Sequence, residues 1–155
     1  MKTMCTCLLV VLIVACAQSP GQTFLKGWEG TWNGEVGYIE TGRMRFAVAP
    51  GIHVDRVGDD YAFTVHSADR HFEGTLKAAG DDRYLLNITS GDDAIVDLPL
   101  EYSPQGLLVG MGVFRGKPVE ASLRRTKGSY GIVIVDPAAP KDNNWVLNLE
   151  FSDRV

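Results

Sequence analysis

Three side chains beside one predicted turn are of types that hold metal ions: His66, Asp69 and His71. Ser67 to Arg70 read as a four-residue hairpin loop. That loop sets the two histidines across from each other on an outward face, with Asp69 at its tip. Two imidazoles and a carboxylate can hold zinc or a similar ion. No fourth ligand is indicated, and His53-x-Asp55 falls on a different predicted strand. Paired surface histidines beside a turn are commonplace, so the expectation is no metal and no cofactor. Gly-Asp-Asp triplets begin at Gly58, Gly80 and Gly91 and offer oxygen ligands of the kind calcium takes. None has the spaced carboxylates of a calcium loop, and Gly-Asp-Asp is good turn sequence. Arg115, Lys117, Arg124, Arg125 and Lys127 form one basic concentration, opposed within it only by Glu120. Such a patch suits anionic headgroups or phosphates, or it is simply a set of solvated turns. The chain carries no nucleophile motif of the Gly-x-Ser-x-Gly, Ser-x-x-Lys or His-Glu-x-x-His kind. Gly110-x-Gly112 fails as a dinucleotide fingerprint, because Arg115 stands where the third glycine would be. These residues point to binding, not catalysis.

The cysteines say more about place than chemistry. Cys5, Cys7 and Cys16 are the only three, all within the first sixteen residues. Lys2 followed by the apolar run Met4 to Val14 has the form of an export signal. That run is too short for a membrane span, which needs about 20 apolar residues. Ile13-Val14-Ala15-Cys16 resembles a bacterial lipobox, which implies cleavage before Cys16 and lipidation of its thiol. On that reading residues 1–15 are a signal peptide, 16–23 the lipidated cysteine and a short polar tether, and 24–155 one domain. The resemblance implies a membrane-anchored protein of the cell envelope, with Ala17 compatible with the outer membrane, facing the periplasm. The alternative is cleavage after Ala17, which also fits the small-x-small rule and releases a soluble secreted or periplasmic protein.

Without Lys2 the 15 Lys and Arg fall to 14 against 19 Asp and Glu, a net charge of −5. A mildly acidic, well-mixed chain is not built for nucleic acid. From Trp28 onward, short β-like runs alternate with turn clusters. The candidate strands are 30–39, 43–49, 52–57, 60–66, 71–78, 83–89, 94–101, 107–114, 118–125, 129–135 and 145–151. No twelve-residue stretch of the domain shows a 3.6-residue apolar period. The class is all-β, an antiparallel up-and-down meander.

Alternation assigns faces: Tyr61, Phe63 and Val65 share one, as do Phe72, Gly74 and Leu76, and Tyr84, Leu86 and Ile88. One-sided burial over roughly 8–10 strands favours a sheet closed into a barrel, with a two-sheet sandwich as the alternative. Gly106 to Phe114 and Tyr130 to Val135 are apolar on both faces and need cover on both. Phe24 and Leu25, the 136–144 loop, a partner such as a second copy, or the bilayer could provide it.

Gly30-x-Trp32, opening the first strand, resembles the Gly-x-Trp signature of the lipocalin and calycin-like barrels, and Phe72-x-Gly74-x-Leu76 fits the wider pattern. The resemblance implies that Trp32 plugs a closed barrel end with a late-strand arginine across it, Arg124 or its neighbour Arg125. It also implies an interior that takes a small apolar ligand such as a lipid or acyl chain. Tyr61, Phe63, Phe72, Tyr84 and Met111 would line it. A barrel filled by its own side chains would instead be a structural or protein-interaction module of the envelope, with the doubly apolar strands as its docking surface.

Overall fold

Turn chemistry organises the chain before packing does. Arg115-Gly116 and Lys127-Gly128 are two-residue hairpin loops in which both residues have positive φ, 49° and 73° in the first, 49° and 90° in the second. That is the geometry whose twist matches two antiparallel strands. Ser67 and Arg70 close a third hairpin: the Ser67 amide donates to the Arg70 carbonyl at 2.8 Å, and the Arg70 amide donates to Ser67 Oγ at 3.1 Å.

The computed structural model describes residues 17–40, 42–141 and 144–155. Cys16 and the lipobox lie outside them. A six-residue helix α1 (Pro20–Leu25) precedes ten strands: β1 (Gly30–Glu40), β2 (Arg43–Val57), β3 (Asp60–His66), β4 (His71–Ala78), β5 (Arg83–Ser90), β6 (Asp93–Tyr102), β7 (Leu108–Phe114), β8 (Lys117–Thr126), β9 (Ser129–Val135) and β10 (Trp145–Arg154). Each strand pairs antiparallel with the next, and β1 pairs with β10, so the meander closes into a barrel. A sandwich is excluded. Alternation holds where it was read: Tyr61, Phe63, Val65, Phe72, Leu76, Tyr84, Leu86 and Ile88 are all buried.

Two local features differ from the sequence reading, and a third explains a motif that it left without a role. Residues 43–49 and 52–57 are one strand, β2, because Pro50-Gly51 makes a bulge, not a turn. Trp32 pairs with Ile52 and Gly34 with Ala49, so Pro50 and Gly51 together oppose Asn33 alone. Gly51 takes φ 70° there, and its amide donates to Asn33 Oδ1 at 3.4 Å. Second, the tether is partly helix. Ser19 caps Gln22 and Gln22 reaches back to the Ser19 amide, a capping box with Pro20 in the first turn. Third, Gly110-x-Gly112 has a packing reason. β6 kinks at Asp97 (φ 49°), and a Cβ on Gly110 would lie 1.7 Å from the Pro99 carbonyl oxygen. Only glycine lets the β6 backbone come that close.

The core is the barrel interior, and its filling is uneven. Toward the ends of even-numbered strands, helix α1 folds in and buries Phe24 and Leu25, while Trp28 is completely buried against Tyr61, Phe63, Tyr130 and Phe151. Phe24 and Leu25 therefore plug this end and do not cover the outer wall. β7 is left with Met111 and Val113 exposed.

Candidate functional site

The ends of the barrel can be told apart by counting strands. The sealed end gathers α1, the turns after β2, β4, β6 and β8, and the end of β10; the other gathers the turns after β1, β3, β5, β7 and β9. At the sealed end, backbone groups freed by so short a helix find partners. Tyr130 Oη donates to the carbonyls of Phe24 and Lys26 at 3.2 and 3.1 Å, and Tyr61 Oη to that of Leu25 at 3.4 Å. The Gly21 amide donates to Asp82 Oδ1 at 2.7 Å. Burial pushes the Tyr61 and Tyr130 phenols above their ordinary value and Tyr84 up to about 12.

At the opposite end lies a cavity of about 50 Å³. Its walls are apolar, with Tyr38, Phe72, Ile88, Ile95, Phe114 and Leu147 contributing. Its rim is polar, with Arg70, Ser90, Asp93 and Arg115. The I′ turn after β7 carries Arg115 back over β6, where its Nε donates to Asp93 Oδ1 at 2.8 Å and its Nη2 to the other carboxylate oxygen. That guanidinium holds the Asp93 carboxyl below its ordinary value, against the smaller opposing effect of partial burial. Arg70 stacks over Tyr38, its guanidinium 4.7 Å from the ring centre. Beside the cavity, a groove of about 220 Å³ runs between Phe114, Arg115, Trp145 and Val146.

Of the residues expected to line a ligand cavity, Phe72 does so. Tyr61, Phe63 and Tyr84 point inward but belong to the filled half. Met111 is a correction: with Leu108, Gly110 and Gly112 facing in, parity turns it outward, and it is 52% exposed. Trp32 is buried at the sealed end, and its Nε1 donates to the Trp28 carbonyl at 2.8 Å. The arginine across it is Arg154, not Arg124. Register pairs Trp32 with Arg154, whose guanidinium lies 5.9 Å from the indole and donates to the Glu29 carbonyl at 2.9 Å. Arg124 faces outward because Leu123 faces inward, and it donates to Ser122 Oγ at 3.1 Å. Arg125 packs over Tyr130 instead.

The basic concentration divides, since Arg115 and Lys117 lie at one end of β8 and Arg124, Arg125 and Lys127 at the other. Lys117 and Arg124, the nearest members of the two groups, stand seven strand positions apart, about 23 Å. In each Gly-Asp-Asp triplet the last aspartate has a structural partner: Asp60 accepts from the Ala78 amide, Asp82 from Gly21 and Asp93 from Arg115. Among the described residues no group of three or more His, Cys, Asp or Glu side chains is placed to hold a metal ion. Asp69 is exposed in its loop, whereas His66 and His71 do meet.

The sequence reading named Arg115 in the basic concentration and Asp93 in a Gly-Asp-Asp triplet, but it missed Arg70 and did not bring the three together at one rim. Alternate turns of a meander share an end, and that count applied to the turns after β3, β5 and β7 brings all three together.

No protein-family profile matches the sequence, and no curated protein matches it. The barrel is similar to the crystal structure of Rv2717c from M. tuberculosis, with a TM-score of 0.59 and 14% identity over 89% of this chain and all of that one. At that identity the likeness is one of fold alone.

Proposed function

We propose that the barrel binds a small apolar or amphiphilic ligand at its open end, with the apolar part seated on Phe72, Ile88 and Ile95 and a polar or anionic end at the arginines of the rim. The observation that carries this reading is the asymmetry of the two ends. One is plugged by its own helix and tryptophan, and the other keeps an apolar cavity under a ring of Arg70, Asp93 and Arg115. Ligand sites combine those features: apolar walls and a few placed polar groups. The size narrows the cargo. Full enclosure of a drug-sized ligand takes about 300–1,000 Å³, so this cavity suits a short chain, or the end of a longer one lying along the Phe114–Trp145 groove.

The same reading includes lipidation at Cys16. With the helix starting at Pro20, three residues stand between Cys16 and the domain, a reach of about 10 Å. Under this arrangement the sealed end lies by the membrane and the mouth faces away from it.

Titration of ¹⁵N-labelled protein with hexanoate tests the site. Saturable shifts confined to amides of residues 70–72, 88–95 and 114–115, lost in Ile95→Trp, are the expected result. The absence of shifts there, in protein that remains folded, sinks the reading. A second reading, an envelope interaction module, is favoured by the outward row of Val96, Met111 and Val113, between 52% and 68% exposed. Crosslinking in intact cells from p-benzoylphenylalanine placed at Met111, but not at Thr31, would support it.

A further inference from the structure

On the outer wall near the open end, His66 and His71 form the last rung of the β3–β4 hairpin, directly opposite each other. The Ser67–Arg70 bonds close the loop immediately beyond them and fix that rung. Their rings lie 4.2 Å apart between centres, and their Nδ1 atoms are 3.0 Å apart. His71 Nε2 is 2.9 Å from Glu73 Oε1.

We propose that His66 and His71 chelate one imidazole-preferring divalent transition ion of the copper(II), nickel(II) or zinc(II) class through their Nδ1 atoms, with Glu73 as a positioning residue.

The first argument is distance. Imidazole nitrogens bind such ions at about 2.0–2.1 Å, and at ligand–metal–ligand angles between square and tetrahedral they stand about 2.9–3.4 Å apart. The pair is already at that spacing. The second is protonation. A carboxylate only accepts hydrogen bonds, so Glu73 requires the proton of neutral His71 on Nε2 and leaves the Nδ1 lone pair facing His66. This is the carboxylate–histidine arrangement that fixes the tautomer of metal ligands. In the metal-free protein His66 Nδ1–H must then be the donor between the rings. Moving that proton to Nε2 of the same, exposed ring frees the second lone pair without net loss of a proton. Water would complete the coordination, because among the described residues no third His, Cys, Asp or Glu is placed beside the pair to hold an ion. Such a site selects for imidazole-loving ions and against calcium or magnesium, which want oxygen.

The test uses the full chain with Cys5, Cys7 and Cys16 changed to serine, titrated with copper(II) under electron paramagnetic resonance. One ion per chain with a two-nitrogen imidazole signature is expected. His66→Ala and His71→Ala should each abolish that signature, and His53→Ala should leave it intact. Glu73→Ala should weaken affinity about tenfold, and Glu73→Gln, which keeps an acceptor, should restore most of it. No saturable binding, or a two-nitrogen signature that survives His66→Ala, overturns the proposal.

Discussion

The two ends of this barrel use similar residues for opposite purposes. At the sealed end, aromatic side chains meet a folded-in helix, and tyrosine hydroxyls donate to its carbonyls. At the open end, Tyr38 and Phe72 meet no such segment among the described residues, and arginines from hairpin turns form the rim. What differs is which end receives α1 and Trp28. A ten-stranded barrel has two mouths, and one short helix with a following tryptophan is enough to close one of them. The remaining mouth inherits whatever the alternate turns carry.

The sharpest way to break the contrast is to unplug the sealed end. Trp28→Ala should cost about 3–5 kcal/mol, as truncation of a fully buried aromatic does. Phe72→Leu at the open end, a smaller change beside an existing cavity, should cost only about 1 kcal/mol. Urea denaturation of both variants measures the pair, and equal losses would mean that the ends are not energetically distinct.

Much of this was legible in the sequence. Period-2 alternation in residues 60–66, 71–78 and 83–89 was enough to name the inward faces, and the all-β closed sheet followed from one-sided burial over so many strands. The helix was not legible, because six residues are too few for a 3.6-residue period to show. Its capping box, Ser19 to Gln22 with Pro20 between, was a local signal that polar composition obscured. Met111 was misassigned because apolarity on both faces removes the clue that sets parity; Gly110 and Gly112 hid which face was in. Arg154 was missed because its pairing with Trp32 joins the first and last strands, which no local pattern reports.

Tyrosine chemistry provides the next test. Tyr130→Phe removes the donor to two carbonyls and should destabilise the protein by about 1–3 kcal/mol. The wild type carries a matching alkaline weakness. Tyr61, Tyr84 and Tyr130 have folded pKa values raised above their unfolded value near 10. Their contribution to stability is therefore complete below about pH 10. It is lost as the pH rises toward about 12, the value for Tyr84. Phenolate absorbance should show these three titrating late and together with unfolding. Early, non-cooperative titration of all five tyrosines would contradict the sealed end.

A smaller effect separates docking of the helix from its formation. Asp82→Ala removes the acceptor for the Gly21 amide and should cost about 1 kcal/mol. Hydrogen exchange should accelerate at residues 20–26 while β7 and β8 keep their protection. Acceleration throughout the barrel would mean that the helix is integral to closure and not a separable plug.

The smallest effect belongs to the open end. Asp93 and Arg115 are partly solvent-exposed, with side chains 28% and 54% accessible, so screening discounts their paired hydrogen bonds to under about 1 kcal/mol. The sign with pH is nevertheless fixed. Because the Arg115 guanidinium holds the folded carboxyl below its unfolded value near 4, the pair's contribution is full above about pH 4. It disappears as the pH falls through the lower, folded value. Asp93→Asn should therefore be slightly less stable than wild type at neutral pH and converge with it in acid. Its hexanoate affinity at neutral pH should rise, since removing the carboxylate leaves Arg115 free to face an anion at the rim. Unchanged affinity together with the small stability loss would make the Asp93–Arg115 pair a latch on the β5–β6 and β7–β8 turns, with the apolar walls alone holding the ligand.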